Sequence, residues 1–186
     1  MRHLFIPLCI LLFFCSLPFL FDKKEVCFSS DHVVVSSQLI AGLESYRSPQ
    51  EIRAGLAKGL SWEVIKESRL EEGDTRPPFG LSEVSIKNFS HLNFHGELRL
   101  IFFNDRLMST IFYPVDFQQY FKALTEIQKL RFKKVYYKQK EAIVAPYVRI
   151  LAPTDDYIKE FNGKLSITWE DIRLINERDD WLMKYS

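Results

Sequence analysis

The apolar positions are densest at the start of the chain. Leu4 to Phe21 carries no charge; Met1-Arg2-His3 precedes it and Asp22, Lys23 and Lys24 end it. A basic start followed by an apolar run is the pattern of an export signal. As a helix the run spans roughly 27 Å, near the thickness of a bilayer's hydrocarbon core. The pattern predicts a signal peptide or membrane anchor over residues 1–24, a tether over 25–37 and a single domain over 38–186.

Beyond the tether the periodicity alternates between helix and strand. Ser48-Pro49-Gln50-Glu51 predicts a helix start, with Ser48 as cap, Pro49 in the first turn and Glu51 reaching back. Ile52, Leu56 and Leu60 follow at helical spacing, and Gly59 is placed to end the helix. Ser61 to Leu70 reads as a strand with Trp62, Val64 and Leu70 on one face, or as a second short helix. Gly73, Asp74, Pro77 and Pro78 mark a loop. Val84-Ser85-Ile86 opens another strand, and His91 to Gly96 turns the chain.

The strongest strand pair is Glu97 to Phe103 with Arg106 to Tyr113, joined by the turn formers Asn104-Asp105. Asp116 is placed to cap a helix running to about Lys129, with Phe117, Tyr120, Phe121, Leu124 and Ile127 on its apolar stripe. Val135 to Lys140, Ala142 to Leu151 and Lys164 to Ile172 read as strands. Glu177 to Tyr185 reads as a closing helix. Val33-Val34-Val35 is a candidate for a sheet edge.

This order predicts an α+β domain, a mainly antiparallel sheet with two or three helices, preceded by an apolar N-terminal helix. The stretches Lys58-Gly59-Leu60-Ser61 and Gly96-Glu97-Leu98-Arg99-Leu100-Ile101-Phe102-Phe103 resemble the small exported outer-membrane-assembly lipoproteins with a helix-then-meander domain. The resemblance implies a non-catalytic scaffold. The lipidated cysteine with which that family begins has no close match, since Phe14 stands directly before Cys15.

Composition sharpens this in two ways. With 47% hydrophobic and 26% charged residues the chain has enough apolar material for one core. Cys9, Cys15 and Cys27 all lie before residue 28, so the domain needs no disulfide framework. A formal net charge of +1 creates no global field towards polyanions, and no nucleic acid is expected as a partner.

Charge is uneven along the chain. Lys129, Arg131, Lys133, Lys134, Lys138 and Lys140 fall within twelve residues that hold no acid, whereas Asp155 to Ser186 has eight acids against five bases, a net −3. Phe132, Tyr136 and Tyr137 interleave the basic run. Lys133, Lys134, Lys138 and Lys140 are therefore candidates for binding an anionic lipid or glycan. The same lysines also suit a guarded sheet edge.

Candidates for chemistry are sparse. His91 and His95 stand four apart but flank a turn, and no third metal ligand is marked. Glu170 and Asp171 are neighbours in a strand and point to opposite faces. No nucleophile elbow or phosphate-cradling glycine loop is present. No catalytic, metal or cofactor residue is assigned. The expected function is an exported, membrane-tethered, non-catalytic domain that binds a protein partner or scaffolds the cell envelope. The alternative is an extracytoplasmic hydrolase combining these acidic residues with a histidine, which requires His91, His95, Glu170 and Asp171 to converge.

Overall fold

The computed structural model describes residues 35–161 and 163–186. The apolar run Leu4–Phe21, the three cysteines and Val33-Val34 lie outside the described residues. Ser36 and Ser37, placed in the tether by sequence, bond into the domain: the Ser36 hydroxyl donates to Glu44, and the Ser37 amide donates to the Ser45 hydroxyl at 2.9 Å. Among the described residues no helix is long and apolar enough to cross a membrane.

Helix α1 (Pro49–Gly55) begins with the expected reciprocal cap. The Glu51 amide donates to the Ser48 hydroxyl, and the Ser48 amide donates back to the Glu51 carboxylate at 2.8 Å. The helix stops at Gly55 rather than near Gly59. Ile52 is its one buried residue, and Leu56, Leu60 and Trp62 reach the core from extended chain instead. Strand β1 (Glu63–Arg69) lies where the sequence placed it, but all seven residues are exposed. It is the outer strand of the sheet, and Val64, from the face that the sequence groups with Trp62 and Leu70, is open to solvent.

Strands β2 (Gly80–His91), β3 (Phe94–Phe103) and β4 (Arg106–Pro114) form a meander. Its two hairpin turns each place both central residues at positive φ: Leu92 at 52° and Asn93 at 65°, then Asn104 at 47° and Asp105 at 58°. Such turns match the right-handed twist of the flanking strands. Asn104 adds a hydrogen bond, its side-chain oxygen accepting from the Gly80 amide at 2.7 Å.

Asp116 caps helix α2 (Phe117–Gln128), accepting from the Gln119 amide. Lys129 follows in the left-handed conformation and ends the helix. The chain then crosses to the far edge of the sheet. Here two expected strands become three: β5 (Lys133–Tyr136), β6 (Gln139–Ala145) and β7 (Val148–Pro153). Val135–Lys140 and Ala142–Leu151 each straddle a turn. The Tyr137-Lys138 turn contains no glycine or asparagine and is held from outside. The Thr154 hydroxyl donates to the Tyr137 carbonyl, and the Thr154 amide to the Lys138 carbonyl. The other turn contains Pro146, which has no amide to donate to a ladder.

Thr154 also caps the short helix α3 (Asp155–Glu160), in a stretch where the sequence pattern predicts no element. Strand β8 (Ile167–Asp171) runs directly into α4 (Ile172–Tyr185), because Asp171 accepts from the Arg173 amide and caps the helix. The helix is longer, and the strand shorter, than expected. Among the described residues four α-helices therefore accompany the sheet, not two or three.

The sheet has eight antiparallel strands in the order β1-β2-β3-β4-β8-β7-β6-β5. Four strands and a helix occur twice in chain order, with α3 interrupting the second set. The last strand made, β8, is central and pairs with both β4 and β7.

One face of the sheet packs under α2. Leu98, Leu100, Phe112, Ile150 and Trp169 meet Tyr120 and Leu124 there, all buried. On the other face α4 covers one end, setting Leu174 and Ile175 on Phe103 and Met108. Trp181 fixes the helix further along, stacked near Phe79 and donating to the Pro77 carbonyl at 3.0 Å. Beyond α4 this second face is open and polar. Arg99 bridges Glu83 and Glu97 there, and Arg149 pairs with Glu170 at 2.7 Å.

Candidate functional site

Strand pairing separates the four residues on which a hydrolase would depend. His91 lies under α2, its ring edge-on to Phe112 and Trp169 and its Nδ1 2.7 Å from the Tyr120 hydroxyl oxygen. Burial holds its pKa below the usual histidine value. His95 is exposed on the opposite face. Glu170 points to the open face, towards Arg149.

Asp171 points the other way and is fully buried. Its carboxylate accepts from the Ser45 hydroxyl at 2.7 Å and from the Arg173 guanidinium. Burial pushes this carboxyl up, but hydrogen bonds from Arg173 and Ser45 outweigh it, and the net shift is downward. Arg173 is itself stacked on the rings of Tyr147, at 4.3 Å, and Tyr46, at 4.9 Å. Asp171 is thus a fixed, ionised structural group, and the structure does not gather the four residues into one site. Among the described residues no three His, Cys, Asp or Glu side chains group as metal ligands would.

The four candidate lysines do not share one face either. Lys133 extends to Glu141 at 3.1 Å. Lys140, in register with Lys134, is only 14% exposed at its side chain; its ammonium lies 4.4 Å from the Phe121 ring centroid and bonds Asp155 at 2.7 Å. Lys134 lies over the ring of Tyr137, and Lys138 over Tyr157. Of the four, Lys138 lines a concavity.

That concavity is an open hollow of about 560 Å³ between the β5–β6 hairpin, α3 and the rim of the central strands. Tyr113 and Thr168 line it from the sheet, Tyr136 from the hairpin, and Tyr157 and Phe161 from the α3 side. Tyr157 and Phe161 stand four apart across the end of α3, so their rings stack, 4.9 Å between centroids. Tyr136 is 73% exposed and free to meet a ligand. Lys138 and Lys164 supply positive charge, and among the described residues no Asp, Glu or His lines the hollow.

A second hollow of about 530 Å³ shares Tyr113 and Lys164 with the first and runs on to Lys87 and His95. Lys164 is 3.6 Å from Glu97, the one acid along this continuation. The pair of hollows opens at the end of the sheet opposite to that where Ser37 joins Ser45 and Arg173.

The sequence reading found Lys138 and Tyr136 but assigned no role to Tyr157, Phe161 or Lys164, and gave Tyr113 only a strand face. One signal was present: Thr154 is a cap residue, and a helix begun there puts Tyr157 and Phe161 on one face. The meeting of these rings with Tyr113 is set by the insertion of β8 beside β4, which no local pattern encodes.

No protein-family model, curated protein or solved structure matches this chain.

Proposed function

We propose that the chain is an exported, membrane-tethered protein whose α+β domain binds its ligand without catalysis, in the aromatic hollow at the sheet rim. The observation that carries the reading is the hollow's lining. Tyrosine and phenylalanine rings from the sheet, the hairpin and the α3 side, among them Tyr113, Tyr136, Tyr157 and Phe161, converge with Lys138 and Lys164. Concave sites with rings and a few placed polar groups are the usual form of ligand pockets. Rings and ammonium groups stack, orient and neutralise a ligand, whereas bond cleavage needs an acid, a base or a nucleophile–base pair. The separation of His91, His95, Glu170 and Asp171 supports binding over hydrolysis. The basic run keeps its anion-binding role in this reading, concentrated on Lys138 with Lys164 rather than spread over Lys133, Lys134 and Lys140. The apolar run Leu4–Phe21 supports export and tethering, and the lipoprotein resemblance fits a scaffold that captures rather than converts.

Titrating the full chain with envelope extract while following tyrosine ring resonances tests the site. Shifts confined to Tyr113, Tyr136 and Tyr157 are expected, and shifts confined to rings outside the hollow overturn the reading. Fractionation tests the tether: an intact chain recovered soluble from the cytosol rejects export.

A further inference from the structure

Resting on that binding reading, we propose that the two contiguous hollows form one groove for an extended acidic glycan, a saccharide chain bearing carboxylates on some of its rings. Each hollow falls within the roughly 300–1,000 Å³ usual for a small-ligand site. They share Tyr113 and Lys164, so an occupant passing from one to the other is an oligomer rather than a single sugar.

The lining suits a sugar chain in three respects. The ring faces of Tyr136, Tyr157 and Phe161 carry negative quadrupole density, which attracts the polarised C–H face of a pyranose. Gln139, Ser166 and Thr168 offer side-chain donors and acceptors at the floor and wall, matching a ligand rich in hydroxyls. The cations are sparse and spaced along the groove: Lys138 in the first hollow, Lys164 at the junction, and Lys87, whose ammonium is 3.2 Å from the exposed Glu63, in the second. Glu97 beside Lys164 reduces the field at the junction further.

That spacing separates an acidic glycan from other polyanions. A nucleic-acid strand carries a charge on every residue and is held by dense Lys and Arg, often stacked guanidinium groups. Among the described residues no arginine lines either hollow. An anionic bilayer is flat and is met by a projecting basic surface. Here Lys138 and Lys164 sit on the walls of a concavity among rings, and Lys133 and Lys140 are engaged by Glu141 and Asp155.

The test is calorimetric titration of the full chain, purified in a detergent without a sugar headgroup. The probes are hyaluronan hexasaccharide, hexagalacturonate, the hyaluronan disaccharide, neutral chitohexaose, oligothymidylate and phosphatidylserine vesicles. An acidic hexamer should bind about tenfold or more tighter than both the disaccharide and the neutral hexamer. Tyr157→Ala and Lys138→Gln should each weaken the hexamer severalfold, while Lys87→Gln should weaken the hexamer and leave the disaccharide unchanged. If neither acidic hexamer binds, the glycan assignment is wrong. Oligothymidylate or vesicles binding instead, with sensitivity to Tyr157→Ala, overturns the ligand class and leaves the aromatic hollow as the site. Hexamer binding insensitive to both Tyr157→Ala and Lys138→Gln overturns the hollow as well. Equal affinities for disaccharide and hexamer reject the extended groove.

Discussion

Ser45 and Asp171 are 126 residues apart in the chain and 2.7 Å apart in the fold, the serine hydroxyl donating to a carboxylate that no solvent reaches. The contact joins the start of the domain to the cap of its last helix. Arg173 completes it from both sides, bonding Asp171 and the Ser37 hydroxyl while stacked on Tyr46 and Tyr147.

This latch predicts a graded loss of stability. Ser45→Ala removes one hydrogen bond to a buried charge and should cost about 2 kcal/mol. Asp171→Ala leaves Arg173 without its partner and should cost roughly 3 kcal/mol, the low end for breaking a buried pair because Arg173 is partly exposed. Urea midpoints of the full chain check both, and a shifted midpoint with an unchanged slope marks lost stability rather than altered compactness. An Asp171→Ala midpoint equal to that of the unmodified chain would contradict the latch.

His91 should make the domain acid-sensitive above the carboxylate range. Its folded pKa lies below the ordinary value, so the unfolded chain takes up the proton first. Stability is therefore full above about pH 6.5 and falls as the pH drops from there towards the folded value. Asp171 and Glu97 are shifted downward too, but their loss of stability begins only in the ordinary carboxylate range, at lower pH than the loss at His91 begins. His91 Nδ1 and the Tyr120 hydroxyl share a hydrogen bond, and protonation places a charge against Phe112 and Trp169. His91→Gln should flatten the change in urea midpoint between pH 7 and pH 5, and an unflattened profile would assign that change to other groups.

Gly96 admits no side chain. A Cβ there would stand 2.3 Å from the Tyr113 carbonyl oxygen and 2.8 Å from the Phe112 ring. The carbonyl is strand backbone and cannot swing aside, so Gly96→Ala should force β3 and β4 apart and cost about 2 kcal/mol or more. Thermal unfolding measures this, and a melting temperature within a degree of the original would refute the clash.

Two lysines read together from sequence should behave differently. Lys140→Gln removes an ammonium that lies over Phe121 and Phe132 and pairs with Asp155, and should cost about 1 kcal/mol with ligand retention intact. Lys138→Gln should leave the melt unchanged and weaken retention on an acidic-glycan column. The reverse assignment in paired melting and retention assays would return the anion site to the buried face.

The signals legible in sequence were those that a few adjacent residues set by themselves. Ser48 with Glu51, Asn104-Asp105 and the Asp116 cap all act within one turn of chain. The segment from Lys133 to Pro153 was divided wrongly because its first turn is held by Thr154, which lies beyond it, and its second by a proline inside an otherwise strand-like run. β1 is legible as a strand with Trp62, Val64 and Leu70 on one face, but its place at the sheet edge, which leaves Val64 exposed, is not. The hollow was half visible, through Tyr136 and Lys138. Its remaining wall depends on a strand order in which the last strand enters the middle.

That order also governs how the molecule is made. The edges of β4 and β7 wait for β8, the last of the described strands in chain order, and until it arrives each presents an unsatisfied row of amides and carbonyls. The closing step joins the two half-sheets through contacts distant in sequence, which slows folding and lengthens the exposure of both edges. Under the proposed export, such late closure would keep the sheet incomplete during passage through a translocation pore, for as long as β8 is still on the other side.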